Sequence, residues 1–105
     1  MRPWPEALKQ SLRYLAAARY YLPLSLKQGD FPDTEQLYEE YLHQAEFGEA
    51  LELLECLGEL NSEDPDQFLF WSELLLAAEH MGMADHASRY RERLRRLQSE
   101  RPAGA

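Results

Sequence analysis

The stretch Phe68-Leu-Phe-Trp-Ser-Glu-Leu-Leu-Leu-Ala-Ala-Glu-His-Met81 decides the fold. Ten of its fourteen residues are apolar, and the four polar ones are Ser72, Glu73, Glu79 and His80. These four are spaced by seven, close to two helical turns, so they form one narrow polar stripe on an otherwise apolar helix. Because such a helix must be covered from several sides, the sequence predicts a buried central helix over about 65–81.

Residues on either side of this stretch mark its ends. Asp64 is placed to cap the helix, Pro65 suits its first position, and Gln67 stands where a capping box requires an amide. Gly82 supplies the stop signal.

The rest of the chain reads as further helices. One starts at Trp4-Pro5 and ends at Pro23, a second starts near Asp33, a third covers roughly Gly48–Leu60, and a last one follows Met83-Ala84-Asp85. A chain of 105 residues with 45% apolar content is predicted to be one all-α domain over 1–105, with about five helices and a flexible tail from about 101.

The composition limits which cellular compartment and which class of partner we expect. No apolar run follows a basic start, so we expect neither a signal peptide nor a membrane anchor. The single Cys56 has no internal disulfide partner, which fits a reducing cytoplasm. A net charge of −8 argues against nucleic acid as the partner, because phosphate repels such a surface.

Charge is unevenly distributed along the chain. Sixteen Asp or Glu and no Lys or Arg lie between Gln28 and Ser88, whereas the flanks hold all eleven basic residues and three acids. We expect a surface for a basic partner, neutralised in part where the two ends fold back on the middle.

The third helix concentrates this acidity. Its apolar side consists of Phe47, Ala50, Leu51, Leu54 and Leu57, and its other side carries Glu49, Glu52, Glu55 and Glu59. Like charges at this spacing cost a helix roughly a few tenths of a kcal/mol per pair. A solvated face and a binding face explain the pattern equally well.

A short repeat links two parts of the chain. Ala45-Glu-Phe-Gly-Glu-Ala50 is echoed by Gly82-Met-Ala-Asp-His-Ala87, at a period of 37 residues. In each copy a small residue at a tight turn precedes by five an Ala inside the next helix. The pattern resembles degenerate tetratricopeptide hairpins and predicts antiparallel, tetratricopeptide-like packing around the central helix, although Leu75 and Arg91 depart from that motif.

No chemistry-bearing constellation is apparent. The serines lack a nucleophile-elbow context, and His43, His80 and His86 do not make a metal pair on one helix. No Asp-rich calcium loop occurs. The sequence predicts a protein that is not an enzyme and has no catalytic residues, no metal and no cofactor.

A second resemblance covers residues 40 to 83. Glu40-Tyr-Leu-His-Gln-Ala-Glu-Phe-Gly-Glu-Ala-Leu-Glu-Leu-Leu54, an acidic turn, Phe70-Trp71 and Ala77-Ala-Glu-His-Met-Gly-Met83 look like the Maf-type immunity proteins of polymorphic toxin and contact-dependent inhibition systems. This resemblance implies a cytoplasmic protein that binds and blocks one toxin domain, often a basic nuclease.

Two functions are therefore kept open. The first is an immunity protein that neutralises a basic toxin domain and touches neither nucleic acid nor membrane. Tyr38 and Tyr41, if partly exposed, would anchor that contact, and the carboxylates expected to make it are Glu46, Glu49, Glu52, Glu55, Glu59, Glu63, Asp64 and Asp66. The second is a tetratricopeptide-like adaptor or secretion chaperone. An inhibitor driven by charge should expose carboxylates, whereas a groove-binder should expose apolar side chains on a concave surface.

Overall fold

The computed structural model describes residues 5–29 and 32–100 of the chain. These residues form the helices α1 (Glu6–Tyr20), α2 (Thr34–His43), α3 (Phe47–Asn61), α4 (Gln67–His80) and α5 (Ala84–Glu100). No strand occurs within the two ranges, so the predicted all-α fold is confirmed. No helix within them combines the length and the apolar character that crossing a bilayer requires. The predicted tail from about 101 lies outside the described residues.

The fourth helix occupies the centre of the packing, as its sequence predicts. It contacts α1, α3 and α5, whereas α2 packs mainly on α3. Phe70, Trp71 and Leu74 are fully buried, together with Ala77 and Ala78. They join the leucines of α3 in one hydrophobic core.

The cover over α4 is nevertheless incomplete. Leu69 and Leu76 are 44% and 40% exposed, and they are spaced by seven like the polar residues of the predicted stripe. The outer stripe of α4 therefore mixes leucines with Ser72, Glu73 and His80. Three neighbouring helices cover three sides of α4 and leave the fourth side to solvent.

The capping prediction for α4 is wrong. Asp66 is the N-cap residue and its side chain makes no capping hydrogen bond. Pro65 lies in the turn before the helix. The Gln67 amide nitrogen donates to Asp64 Oδ1 at 2.9 Å, so the two expected partners do meet, but the bond closes the turn and not the helix.

Equivalent turns close the two hairpins, α2–α3 and α4–α5. In each turn one N–H bonds the carbonyl three residues back, and the next N–H bonds the carbonyl five residues back. This is the Schellman arrangement, which needs a residue with positive φ at its centre. Gly82 has φ 71 and Ala45 has φ 58. Five residues later, Ala50 and Ala87 are buried between helices. The echo in the sequence thus corresponds to two similar helix reversals.

Helix α3 packs tightly against Phe70 of α4 at Gly58, a residue that the sequence pattern does not single out. A Cβ placed on this buried glycine would overlap the ring of Phe70. The absence of a side chain at Gly58 therefore leaves room for the Phe70 ring between α3, which carries the acidic face, and the central helix.

Candidate interaction surface

The acidic face of α3 lies beside the basic face of α5. Glu55 Oε1 is 3.0 Å from Arg89 Nη2, and Glu59 forms an ion pair with Arg93. Each arginine stands 34 residues after its partner. Because the separation is constant over one helical turn, α3 and α5 run side by side in the same direction.

One further pair extends this contact toward the start of α3. Glu52 Oε2 lies 3.9 Å from His86 Nε2, again at a separation of 34 residues, and it forms an ion pair when His86 is protonated. Exposed ion pairs contribute about 0–1 kcal/mol each, so these contacts orient the two helices more than they stabilise them.

Glu55 is held more firmly than the other carboxylates of this face. The Tyr90 hydroxyl donates a hydrogen bond to Glu55 Oε1 at 2.5 Å. Burial raises the pKa of Tyr90 above its ordinary value, and the hydrogen bond to Glu55 raises it further. Arg89 binds the same carboxylate, so Glu55 is part of the joint between α3 and α5.

Glu55 and Glu59 are among the carboxylates predicted to contact a partner, and both are engaged by side chains of α5. The physical reason is that the basic carboxyl-terminal helix folds back on the acidic middle of the chain. The sequence does contain a sign of this pairing, because the spacing of Glu52, Glu55 and Glu59 is repeated in His86, Arg89 and Arg93.

The other arginines of α5 are also largely occupied. Arg91 pairs with Glu79, and Arg95 pairs with Glu92. Neither arginine contacts an α3 carboxylate. The arginine run of α5 is thus neutralised mainly within the protein.

Glu46 and Glu49 lie beyond the ion pairs between α3 and α5, at the start of α3, and both are exposed. Neither makes an ion pair with a basic side chain in the described ranges. Together with Glu52 they border a shallow cavity of about 470 Å³. Met81 and Met83 line it as well, and Met83 lies next to Gly48. This end of the protein combines unpaired carboxylates with the flexible, apolar side chains of two methionines.

Glu63, Asp64 and Asp66 form a separate acidic group at the opposite end of α3, and all three are exposed. An α-helix rises 1.5 Å per residue, so the length of α3 separates this group from Glu46 by roughly 20 Å. The candidate carboxylates therefore do not form one continuous face.

Tyr38 does not meet the condition of partial exposure on which its predicted role as an aromatic anchor depends. Its side chain is 3% exposed, and its hydroxyl donates to the carbonyl of Leu15 at 3.4 Å. Burial raises the pKa of this hydroxyl above its ordinary value. Tyr41 is half-buried against the core and keeps part of its surface in solvent.

Within the described ranges, no cluster of three or more His, Cys, Asp or Glu is arranged to hold a metal ion. His80 Nε2 lies 2.9 Å from the carbonyl of Ala7, where it links α4 to α1, and its ring contacts that of Tyr14. Comparisons of the chain with protein-family models, curated proteins and solved structures found no match.

Proposed function

We propose that this chain is an immunity protein that binds a basic toxin domain in the cytoplasm and neutralises it by occupying it. The contact is made by the carboxylates that α5 leaves free, first of all Glu46 and Glu49. The proposal combines the resemblance of residues 40 to 83 to Maf-type immunity proteins with the distribution of unpaired charge over the folded chain.

The observation that carries the proposal is the excess of acid that survives internal pairing. Described cations outside the ion pairs are Lys9, Lys27 and Arg96. The described carboxylates outside them are Asp33, Glu39, Glu40, Glu46, Glu49, Glu63, Asp64, Asp66, Glu73, Asp85 and Glu100. Folding back the basic ends thus leaves a strongly negative surface, which steers a basic domain toward the protein and repels nucleic acid.

The end of the protein around Glu46 and Glu49 suits such a contact best. Its carboxylates are exposed and unpaired in the described ranges, so binding does not break an internal ion pair. Met81 and Met83 beside them offer apolar surface, and their flexible side chains can adapt to partners of different shape. Stable interfaces generally combine an apolar centre with a charged rim.

The adaptor or chaperone function has one specific observation in its favour. A groove between α2 and α3 exposes the apolar side chains of Leu37 and Leu60, as expected of a protein that holds a peptide. An adaptor of this kind would bind unfolded or peptide segments and would not require a folded basic domain.

The direct test searches the products of the genes beside this one for a basic toxin domain and measures its binding to the chain. The purified domain should form a stable complex with the chain, and its toxic activity should fall in proportion to the complex formed. The absence of a complex with any neighbouring-gene product would contradict the proposal. Binding of unfolded segments alone would favour the adaptor function.

A further inference from the structure

An apolar groove lies between α2 and α3, away from the ion pairs that join α3 to α5. Leu37 of α2 forms one wall, and Leu53, Cys56 and Leu60 of α3 form the other. Gln28 and Gly29 line it as well, and its volume is about 590 Å³. On α3 the lining residues run from Leu53 to Leu60, so the groove extends along about two helical turns.

Two leucines of this groove, Leu37 and Leu60, are not part of the packed core, whereas Leu53 is half-buried against it. Leu54 and Leu57 on the other side of α3 are fully buried, whereas Leu37 and Leu60 are 41% and 44% exposed. Leu60 is the most exposed leucine of α3 and lies against Gly29, where an added Cβ would be 3.0 Å from Leu60 Cδ1. Apolar side chains gathered in one concave place, rather than scattered, mark a site for another molecule.

None of the described residues that line the groove is a carboxylate, but carboxylates lie one helical turn from the lining leucines on both sides. Asp33, the N-cap residue of α2, and Glu40 lie one turn before and after Leu37, and Glu49 lies one turn before Leu53 on α3. All three are exposed, and none makes an ion pair within the described ranges. Side chains three or four residues apart share a helix face, so these acids lie on the same faces of the two helices as the groove leucines, one turn away from them.

We propose that the groove binds the apolar face of a basic amphipathic helix belonging to the partner. Leucines or similar side chains of that helix fill the groove between Leu37 and Leu60, and its Lys and Arg residues pair with Asp33, Glu40 and Glu49. This inference rests on the proposed function and adds a second contact with the same partner, in addition to the one at Glu46 and Glu49. A helix in an apolar groove with charged rims is a recurrent mode of peptide recognition.

Cys56 provides a reporter inside the groove. It is the single cysteine of the chain and its side chain is exposed. Burial raises the pKa of the thiol, and the nearby carboxylates of Glu55, Glu59 and Glu52 raise it further, so the thiol reacts slowly at neutral pH. At mildly alkaline pH an alkylating reagent should modify the free protein, and an occupied groove should protect it.

The test uses a synthetic helical peptide of about 18 residues, with leucines on one face and lysines elsewhere. Two control peptides are used. One has the same composition in scrambled order, and the other has glutamate in place of each lysine. The first peptide should bind and should slow the alkylation of Cys56, and neither control should do so. Wild-type protein already modified at Cys56 with a bulky maleimide should lose binding without any mutation.

Matched variants locate the site. Leu37→Ser and Leu60→Ser should each weaken peptide binding by about tenfold or more. Leu76→Ser and Leu69→Ser remove leucines of similar exposure from α4 and should leave binding unchanged. Equal losses in the two sets, or no loss in the groove variants, would overturn the proposal.

Other occupants would give different results. Self-association that Leu37→Ser abolishes, seen by sedimentation, would assign the groove to a second copy and contradict the proposal. If the toxin domain binds and responds to charge reversal but not to Leu37→Ser or Leu60→Ser, the groove inference fails and the proposed function stands. If the peptide binds in the groove and no toxin domain binds the chain, the groove is still a site for a basic helix, and the proposed function fails.

Discussion

The guanidinium carbon of Arg93 lies 4.2 Å from the centroid of the buried Trp71 ring. The same arginine pairs with Glu59, so one side chain of α5 covers the core over α4 and neutralises a carboxylate of α3. A cation over an indole ring is attracted by the ring's electron density, and the contact excludes water from the core edge. The acidic face that the sequence displays is therefore, in its middle, a joint between helices.

Trp71→Ala should lower the free energy of unfolding by about 3–5 kcal/mol, the range for deleting a large aromatic side chain from a packed core. The ring is fully buried and its Nε1 donates to Ser62 Oγ at 3.3 Å. Denaturant unfolding measures the loss. Leu69→Ala, on the exposed side of the same helix, should cost no more than about 1 kcal/mol. A denaturant midpoint for Trp71→Ala close to that of Leu69→Ala would contradict the assigned packing.

Gly58→Ala and Gly48→Ala should have opposite effects, although both glycines lie within α3. Alanine favours a helix by about 0.5–1 kcal/mol over glycine, and an added Cβ at Gly48 meets only the end of Met83 at 3.9 Å. At Gly58 the Cβ would overlap Phe70, so the variant should be destabilised by about 1–3 kcal/mol. Thermal unfolding of the two variants gives the comparison. A stabilised Gly58→Ala would mean that α3 and α4 are further apart.

Ala45→Gly should stabilise the protein by up to about 1 kcal/mol, because Ala45 holds a positive φ that costs an alanine roughly 1–2 kcal/mol. Part of this gain is lost to the greater freedom of glycine in the unfolded chain. Gly82→Ala, at the equivalent turn, should destabilise by a similar amount. No heavy atom in the described ranges lies within 4 Å of its added Cβ, so the loss reports backbone strain alone. Equal signs for the two variants would contradict the equivalence of the turns.

Stability should fall in alkaline solution because of Tyr38 and Tyr90. The pKa of each is raised by burial above the ordinary value of about 10, so the folded state retains protons that the unfolded chain releases. Their contribution is complete below pH of about 10 and is lost as the pH rises above it. Denaturant midpoints between pH 8 and pH 11 measure the slope. Tyr38→Phe/Tyr90→Phe should flatten it, and an unchanged slope would refute the assignment.

Local patterns predicted much of the fold. The apolar stretch from Phe68 to Met81 identified the central helix, because its composition requires cover from several sides. The repeat around Ala45 and Gly82 identified both hairpin turns, because small residues are needed where helices reverse. The capping box failed at Asp64, since a side-chain amide within reach of a carboxylate closes a turn as readily as it caps a helix.

The candidate surface was less predictable, because it depends on which helices become neighbours. Tyr38 is buried, and its hydroxyl donates a hydrogen bond to the carbonyl of Leu15, 23 residues away. No local signal in the sequence marks that contact. The pairing of Glu55 with Arg89 requires α3 and α5 to lie side by side. Leu37 and Leu60 form one groove only after α2 folds onto α3. Helical periodicity assigns side chains to faces, but it does not say what each face meets.

The most direct measurement compares two charge reversals of equal size at opposite ends of α3, Glu46→Lys/Glu49→Lys and Glu63→Lys/Asp66→Lys. The association rate and Kd are measured at low and at high salt, against a basic toxin domain identified among the products of the neighbouring genes. We expect the first double variant to associate more slowly, by about tenfold or more at low salt, and the second to change the rate much less. The wild-type rate should fall steeply with added salt. Equal rates for the wild type and the first variant would show that these free carboxylates are a solvated surface and would contradict the central claim.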